Sequence, residues 1–153
     1  MPNDCQQICQ LMQQLVPEYN KAMAKKFTSV PVTPSQAELL MSLDKNGSQK
    51  ISELAQHLNM VDSNVSNICS RLEKLHYVER VRQRTDQRVV KIHLTPLAQK
   101  QVVNLKLEEE KFVEQMNRLI SPVEIDSVNA GLTRLNQLLV QLNQKIEMEE
   151  ITK

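Results

Sequence analysis

Hydrophobic residues recur every three or four positions over most of the chain, which predicts a mainly helical protein. The exception lies at Val90, Ile92 and Leu94, which alternate with Lys91 and His93 as the residues of a half-buried strand do. A second short strand is predicted just before it, so that the two form a hairpin. The predicted helices cover residues 4–26, 33–46, 51–58, 62–75, 96–120 and 121–146, and the predicted strands cover residues 78–82 and 89–94.

Three of the predicted helices have recognisable starts. Thr33, Thr95 and Ser121 are each followed directly by proline, which places a hydroxyl at the N-cap and a proline at the first helical position. Gln36 and Glu124 lie three residues after Thr33 and Ser121, and each can complete a capping box. These signals fix the predicted boundaries on both sides of the central segment.

The last predicted helix carries a narrow apolar seam that spans about three heptads, as in a coiled coil. A short lobe cannot bury such a seam, and exposed apolar stripes of that length are rare in monomers. We therefore expect a homodimer. The seam consists of Ile125, Val128, Leu132, Leu135, Leu139, Leu142 and Ile146. The helix before it is expected to bury Val102, Leu105, Phe112, Met116 and Leu119.

Composition agrees with a helical protein of 153 residues, because the chain has two glycines and only 3% aromatic residues. No apolar run approaches the roughly 20 residues that span a bilayer. The polar N-terminal segment also lacks the features of a signal peptide. The sequence therefore predicts a cytoplasmic protein with no membrane association.

Charge is distributed unevenly, although the net charge is only +1. Residues 71–91 hold seven basic and three acidic side chains, which is a plausible footprint for a polyanion. Arg84 and Arg88 fall at the predicted hairpin tip, where an arginine can enter a narrow minor groove. The alternative interpretation is a hairpin with ordinary surface charge.

Residues 51–75 have the layout of a helix-turn-helix, in which the second helix enters the major groove of DNA. The apolar face of the second helix holds Val65, Ile68, Cys69, Leu72 and Leu75. If Val65, Cys69 and Leu72 point inward, a period of 3.6 residues turns a small, polar and nearly acid-free face outward. Asparagine can pair with adenine, arginine with guanine, and serine with a base or a phosphate. The candidate DNA-contacting residues are Ser63, Asn64, Ser66, Asn67, Ser70, Arg71 and Lys74.

The segment RLEKLHYVERVRQRTDQRVVKIHLT resembles the wing signature of the MarR (multiple antibiotic resistance regulator) family. That signature is a recognition helix ending in R-L-E-K, an Asp-x-Arg wing tip between two strands, and a Leu-Thr pair before a long helix. The matching residues are Arg71, Leu72, Glu73, Lys74, Asp86, Arg88, Leu94 and Thr95.

The resemblance implies a winged helix-turn-helix lobe at residues 33–95, flanked by a helical dimerisation region at 1–32 and 96–153. It also implies a transcription regulator, typically a repressor, whose two lobes bind a pseudo-palindrome in double-stranded DNA and are released by an effector. Arg88 corresponds to the arginine that contacts the minor groove, and Asp86 to the aspartate that helps hold the wing.

Two departures from the family pattern bear on the ends of the recognition helix. His76-Tyr77 replaces the usual glycine-containing turn after the helix. Val61 stands where a capping Ser, Thr or Asp is common, so that only Asp62 is left to cap.

Other function classes have less support from the sequence. His57, His76 and His93 are isolated, and neither a nucleophile triad nor a phosphate-binding loop nor a zinc motif is present, so we expect no enzyme, cofactor or metal. The main alternative is a helical protein-interaction module that does not bind DNA. The steep salt dependence of DNA affinity would discriminate between the two.

The three cysteines raise the possibility of redox regulation. Cys69 is expected to be a small core residue. Cys5 and Cys9 lie four residues apart on one helix, too far to bridge each other. Cys5 falls in the first helical turn, where the macrodipole favours a thiolate, so it is the better candidate for an oxidant sensor. A small-molecule effector is the alternative.

Overall fold

The structure, a computed structural model, describes residues 4–151 of the chain. Six helices and one hairpin follow each other in the predicted order, which confirms the fold class. The elements are α1 (Asp4–Lys26), α2 (Pro34–Asn46), α3 (Ile51–Leu58), α4 (Asp62–Lys74), β1 (Val78–Arg82), β2 (Val90–Leu94), α5 (Pro96–Leu119) and α6 (Pro122–Ile151).

The predicted helix starts are stabilised by the side chains that the sequence indicated. The Thr33 hydroxyl accepts a hydrogen bond from the Gln36 amide at 3.3 Å, and the Gln36 side chain accepts one from the Thr33 amide at 2.9 Å. Ser121 and Glu124 form the same reciprocal pair at the start of α6. These contacts satisfy amide groups that the first helical turn leaves without partners.

The core lies where α2, α3, α4, β2 and the first half of α5 meet. Leu54, Val65, Leu72 and Ile92 are all 0% exposed. The prediction that Leu75 faces inward is wrong, because this residue caps the C-terminus of α4 and is 38% exposed. The core therefore fixes one face of α4 over almost its full length.

The hairpin pairs Val78 with Leu94 and Arg82 with Val90 in antiparallel register. A third piece of backbone joins it, because the Ile92 amide donates to the Gln49 carbonyl oxygen at 2.7 Å. Gln49 directly precedes the N-cap of α3, so strand β2 is attached to the start of the helix-turn-helix.

The chain divides into two compact units, the first ending at Phe112 and the second beginning at Val113. In the second unit, the expectation that Met116 and Leu119 are buried is wrong for the single chain, where they are 52% and 87% exposed. None of the described residues of α6 is buried either. Within residues 4–151, no helix is both long and apolar enough to cross a membrane.

Candidate nucleic-acid interface

The turn between α3 and α4 sets the direction of α4. Asn59 adopts the left-handed conformation, with φ of 52°, and its amide donates to the Gln56 carbonyl oxygen at 3.3 Å. Asparagine tolerates this conformation better than most residues. Val61 is the N-cap of α4 and supplies no side-chain hydrogen bond, as its apolar side chain predicts. Asp62 instead places a carboxylate in the first turn, where the helix dipole favours negative charge.

Helix α4 has one buried face and one polar face. Val65, Cys69 and Leu72 are 0% exposed and hold the helix on the core. Ser66 is partly buried at the edge of that contact. The other candidate DNA-contacting side chains of α4 are exposed, namely Ser63, Asn64, Asn67, Ser70, Arg71 and Lys74. The structure thus brings the predicted polar residues together on one accessible helix face.

Arg80 of β1 lies against this helix, a contact that the sequence analysis missed. Its Nε donates to Glu73 Oε2 at 3.1 Å, and its Nη2 donates to Ser70 Oγ at 3.2 Å and to the Ser66 carbonyl oxygen at 3.4 Å. The helix period places residues 66, 70 and 73 on one face of α4. The sequence pattern does not show that β1 lies against that face.

The loop between the strands, residues 83–89, forms the wing tip. Asp86 Oδ1 accepts a hydrogen bond from the Arg88 amide at 3.0 Å, and the Asp86 carbonyl oxygen accepts one from the Val89 amide at 3.0 Å. Aspartate is favoured in such turns because its side chain bonds the backbone two residues on. The side chains of Arg84, Asp86 and Arg88 are all exposed.

The turn at the base of the wing has a backbone conformation that favours glycine, which is the residue expected after the recognition helix. His76 has a positive φ of 58°, a conformation that glycine adopts without steric cost. The Thr95 hydroxyl donates to the His76 carbonyl oxygen at 2.7 Å and accepts from the Ala98 amide at 3.2 Å. Thr95 therefore both caps α5 and holds this turn in place.

A cavity of about 980 Å³ lies elsewhere in the first unit, beside α2, α3 and α5. Its lining is partly polar and partly apolar, and it includes both partners of two ion pairs. Lys26 Nζ lies 2.8 Å from Glu109 Oε1, and Lys106 pairs with Asp44. The charged residues that line the cavity are Lys26, Lys45, Lys106, Glu38, Asp44 and Glu109.

Next to this cavity, Glu108 of α5 forms hydrogen bonds with the loop that follows α1. Its Oε1 accepts hydrogen bonds from the amides of Thr28 and Ser29 at 3.0 and 2.8 Å. Burial alone would raise the pKa of the Glu108 carboxyl, but the hydrogen bonds from Ser29 and Thr28 outweigh it and hold the pKa below its usual range. The carboxylate is thus ionised at neutral pH and suited to this role.

The three cysteines differ in environment. Burial raises the pKa of the Cys69 thiol to about 11; the charge of Arg80 opposes this and that of Glu73 adds to it. Cys5 and Cys9 are exposed on α1. Among residues 4–151, no group of three or more His, Cys, Asp or Glu side chains is placed to hold a metal ion.

We expect iodoacetamide at neutral pH to alkylate Cys5 and Cys9 in the folded protein and to spare Cys69. The thiolate is the reactive form, and the Cys69 thiol is both buried and protonated. Peptide mass spectrometry after timed labelling measures each site, and labelling in urea gives the unprotected rate of Cys69. Equal labelling of all three cysteines in the folded state would contradict the packing of α4.

Comparison with known proteins places these features in a family. The MarR family model matches residues 32–90, which contain the helix-turn-helix and most of the hairpin. The HTH-type transcriptional repressor MdtR of Bacillus subtilis (strain 168) is 36% identical over 85 residues, which is 56% of this chain and 52% of that protein. The chain thus aligns with about half the length of this curated relative.

Two solved structures extend the likeness to the whole fold. A MarR family transcription regulator superposes with a TM-score of 0.79 at 18% identity, covering 92% of this chain and 93% of that one. Streptococcus pneumoniae FabT in complex with DNA superposes with a TM-score of 0.73 at 24% identity, covering 90% of this chain and 98% of that one. The helix-turn-helix and most of the wing thus match the MarR family model, and the fold is that of MarR family structures.

Proposed function

We propose that the protein is a sequence-specific transcription regulator that binds double-stranded DNA as a homodimer, most simply as a repressor. One observation carries the proposal. The exposed face of α4 holds serine, asparagine, arginine and lysine, and the same compact unit presents a wing tip with two exposed arginines. The relative MdtR is a transcriptional repressor by name, and FabT is a DNA-bound structure of the same fold. The proposal gives the protein no catalytic step, and its site of action is the cytoplasm, with the chromosome.

Helix α4 is suited to the major groove. Its exposed side chains are short toward the N-terminus, so that the helix can approach the base edges closely, and Asn67 can form two hydrogen bonds with an adenine. Arg71 and Lys74 follow in the last turn, where they can contact guanine or phosphate. Because Asp62 is the one acid in the exposed N-terminal half, little charge on this face repels DNA.

The wing is suited to the adjacent minor groove. Arg88 and Arg84 extend from a tip that Asp86 holds in a fixed turn. Arginine side chains enter narrow minor grooves because the negative potential is strongest there. On this proposal Asp86 acts on the backbone of the wing and does not itself contact DNA.

The apolar seam of α6 supports the dimer. Five of its seven residues are between 36% exposed, at Leu139, and 52% exposed, at Leu142, and the other two, Ile125 and Leu135, are partly buried. A second copy of the chain would cover the same seam by twofold symmetry, which is the commonest arrangement of soluble oligomers. Two winged lobes related by such an axis would bind a pseudo-palindromic site.

Selection of bound fragments from a genomic DNA library tests the proposed function. We expect enrichment of fragments that share an inverted repeat, with half-sites about one helical turn apart. The matched control is a protein with Asn67→Ala and Arg71→Ala, which alters the base-contacting face and leaves the core of α4 intact. Recovery of the same random fragments by both proteins would contradict sequence-specific binding.

The cavity beside α2, α3 and α5 is a candidate effector site. Its three lysines and three carboxylates suit a small polar ligand that exchanges places with one partner of an existing ion pair. The cavity involves α2 and α3, which pack directly on the recognition helix α4. A ligand that changes this packing would alter the position of α4 and hence the affinity for DNA.

Oxidation at Cys5 is the second candidate for regulation. If the protein senses oxidants through this exposed thiol, mild peroxide releases DNA from the unmutated protein but not from Cys5→Ser. Mobility-shift titration of both proteins with peroxide measures the difference, and Cys9→Ser is the matched control on the same helix. Equal release from Cys5→Ser would exclude Cys5 as the sensor and leave the cavity as the effector site.

A further inference from the structure

Arg80 connects the two elements that we propose to contact DNA. It belongs to β1, the first strand of the wing, yet all three hydrogen bonds of its side chain run to α4. Its partners are the carboxylate of Glu73, the hydroxyl of Ser70 and the main-chain carbonyl of Ser66. The guanidinium group therefore spans two turns of the recognition helix along the edge of its exposed face.

The charge at this position is balanced. Arg80 and Glu73 have side chains that are 35% and 33% exposed, and Arg80 Nε lies 3.1 Å from Glu73 Oε2. A phosphate that approached Arg80 would meet the Glu73 carboxylate as well. Arg80 is therefore poorly placed to add an attractive charge to the interface. In contrast, the side chains of Arg71 and Arg84 have no hydrogen-bond or ion-pair partner within residues 4–151.

The two strands of the wing are attached to the lobe in different ways. Strand β2 is paired through Ile92 with the backbone of Gln49, and this attachment does not depend on a side chain. Strand β1 has a side-chain attachment to the recognition helix through Arg80. The side-chain contact between β1 and α4 is thus one that a single substitution can remove.

We propose that Arg80 is a positioning residue that joins the wing to the recognition helix, so that both approach DNA in a fixed relative orientation. This inference rests on the proposed function, because it concerns how the same interface is prepared for binding. Arg80 acts on affinity through α4 and the wing, and it does not contact a phosphate. Ordering the two elements before binding reduces the entropy that the complex must lose.

The first test is Arg80→Ala, with DNA affinity measured over a range of salt concentrations. We expect affinity to fall about tenfold, while the slope of log affinity against log salt stays the same because no phosphate contact is lost. Arg82→Ala is the matched control, since it removes the same charge from the same strand, and no hydrogen bond or ion pair joins the Arg82 side chain to another of the described residues. We expect this control to lower affinity by less than about threefold.

The second test asks whether replacing Glu73 weakens or strengthens DNA binding. If Arg80 positions the wing, Glu73→Ala weakens DNA binding by about threefold, although it removes a negative charge from the edge of the interface. The double variant Arg80→Ala with Glu73→Ala then binds no more weakly than Arg80→Ala alone, because both substitutions break one contact. Arg80→Lys and Glu73→Gln, which keep part of the contact, are expected to lie between the alanine variants and the unmutated protein.

Three results would overturn the inference, provided that circular dichroism and urea unfolding show the variants to be folded. The first is an unchanged DNA affinity in Arg80→Ala. The second is a slope of log affinity against log salt that is shallower by about 0.9 in that variant. The third is stronger DNA binding by Glu73→Ala. The last two would make Arg80 a phosphate contact. Failure of the proposed function itself is distinguishable, since the unmutated protein would then show no salt-dependent DNA binding at all.

Discussion

Replacement of Leu135 by aspartate is expected to dissociate the dimer. Leu135 occupies the middle of the α6 seam and is partly exposed in the single chain, so a second copy would complete its burial. An unpaired carboxylate buried there, once on each subunit, costs about 4 kcal/mol or more, which is roughly a thousandfold in the dimer dissociation constant. Light scattering and sedimentation at micromolar concentration measure the change in mass, and binding to a full inverted repeat should fall with it.

Gln137→Asp is the control for this prediction. Residue 137 follows Leu135 by two positions, so it lies on the opposite side of the same helix, and its side chain is exposed. We expect Gln137→Asp to remain dimeric with unchanged DNA affinity, although it adds the same charge. A monomeric unmutated protein would contradict the proposed dimer, as would a monomeric Leu135→Asp variant that binds the full repeat normally.

Replacement of Arg88 by alanine is expected to weaken operator binding by about 1–3 kcal/mol, or roughly 5- to 150-fold. The Arg88 side chain is exposed at the wing tip, while its amide is held by Asp86 Oδ1. The substitution keeps that amide and removes only the guanidinium group, so the fold should be unaffected. Fluorescence anisotropy with labelled operator DNA measures the loss.

The control for Arg88→Ala is Arg118→Ala, which removes an exposed arginine near the end of α5 and outside the proposed interface. We expect this variant to bind operator DNA as the unmutated protein does, with equal urea midpoints for all three proteins. An unchanged affinity in a folded Arg88→Ala protein would mean that the wing tip does not contact DNA.

Local signals in the sequence were sufficient to predict the secondary structure. Thr33 and Ser121 start helices because a hydroxyl, a proline and a side-chain acceptor three residues later satisfy the first amides within a single turn. Asn59 ends α3 for an equally local reason, its tolerance of positive φ. Each of these signals depends only on neighbouring residues, so tertiary contacts did not change where the helices begin and end.

Features that depend on contacts between distant residues were missed. The attachment of Arg80 to α4 requires β1 to lie beside that helix, and no spacing pattern shows this. The pairing of Gln49 with Ile92 joins residues 43 positions apart. Leu75 follows the helical period inward, but the turn at His76 lifts it out of the core.

The candidate site was predicted in part for the same reason. The exposed face of α4 follows from helical periodicity once Val65, Cys69 and Leu72 are taken as buried, which they are. The wing tip was located by its polar residues between two alternating strands. The charge balance between Arg80 and Glu73 arises only from the folded arrangement, and this balance changes which arginines are candidates for contact with phosphate.

The salt dependence of DNA binding tests the central proposal most directly. The dimer would present Arg71, Lys74 and Arg84 from each lobe, six side chains in all. If at least four of them contact phosphates, the slope of log affinity against log salt is about −3.6 or steeper. The measurement uses the unmutated protein and a fragment recovered by genomic selection, titrated between about 50 and 200 mM salt. Retention of the fragment that weakens steeply and linearly with salt is the predicted result, whereas absent or salt-independent binding would contradict the assignment of this protein as a DNA-binding regulator.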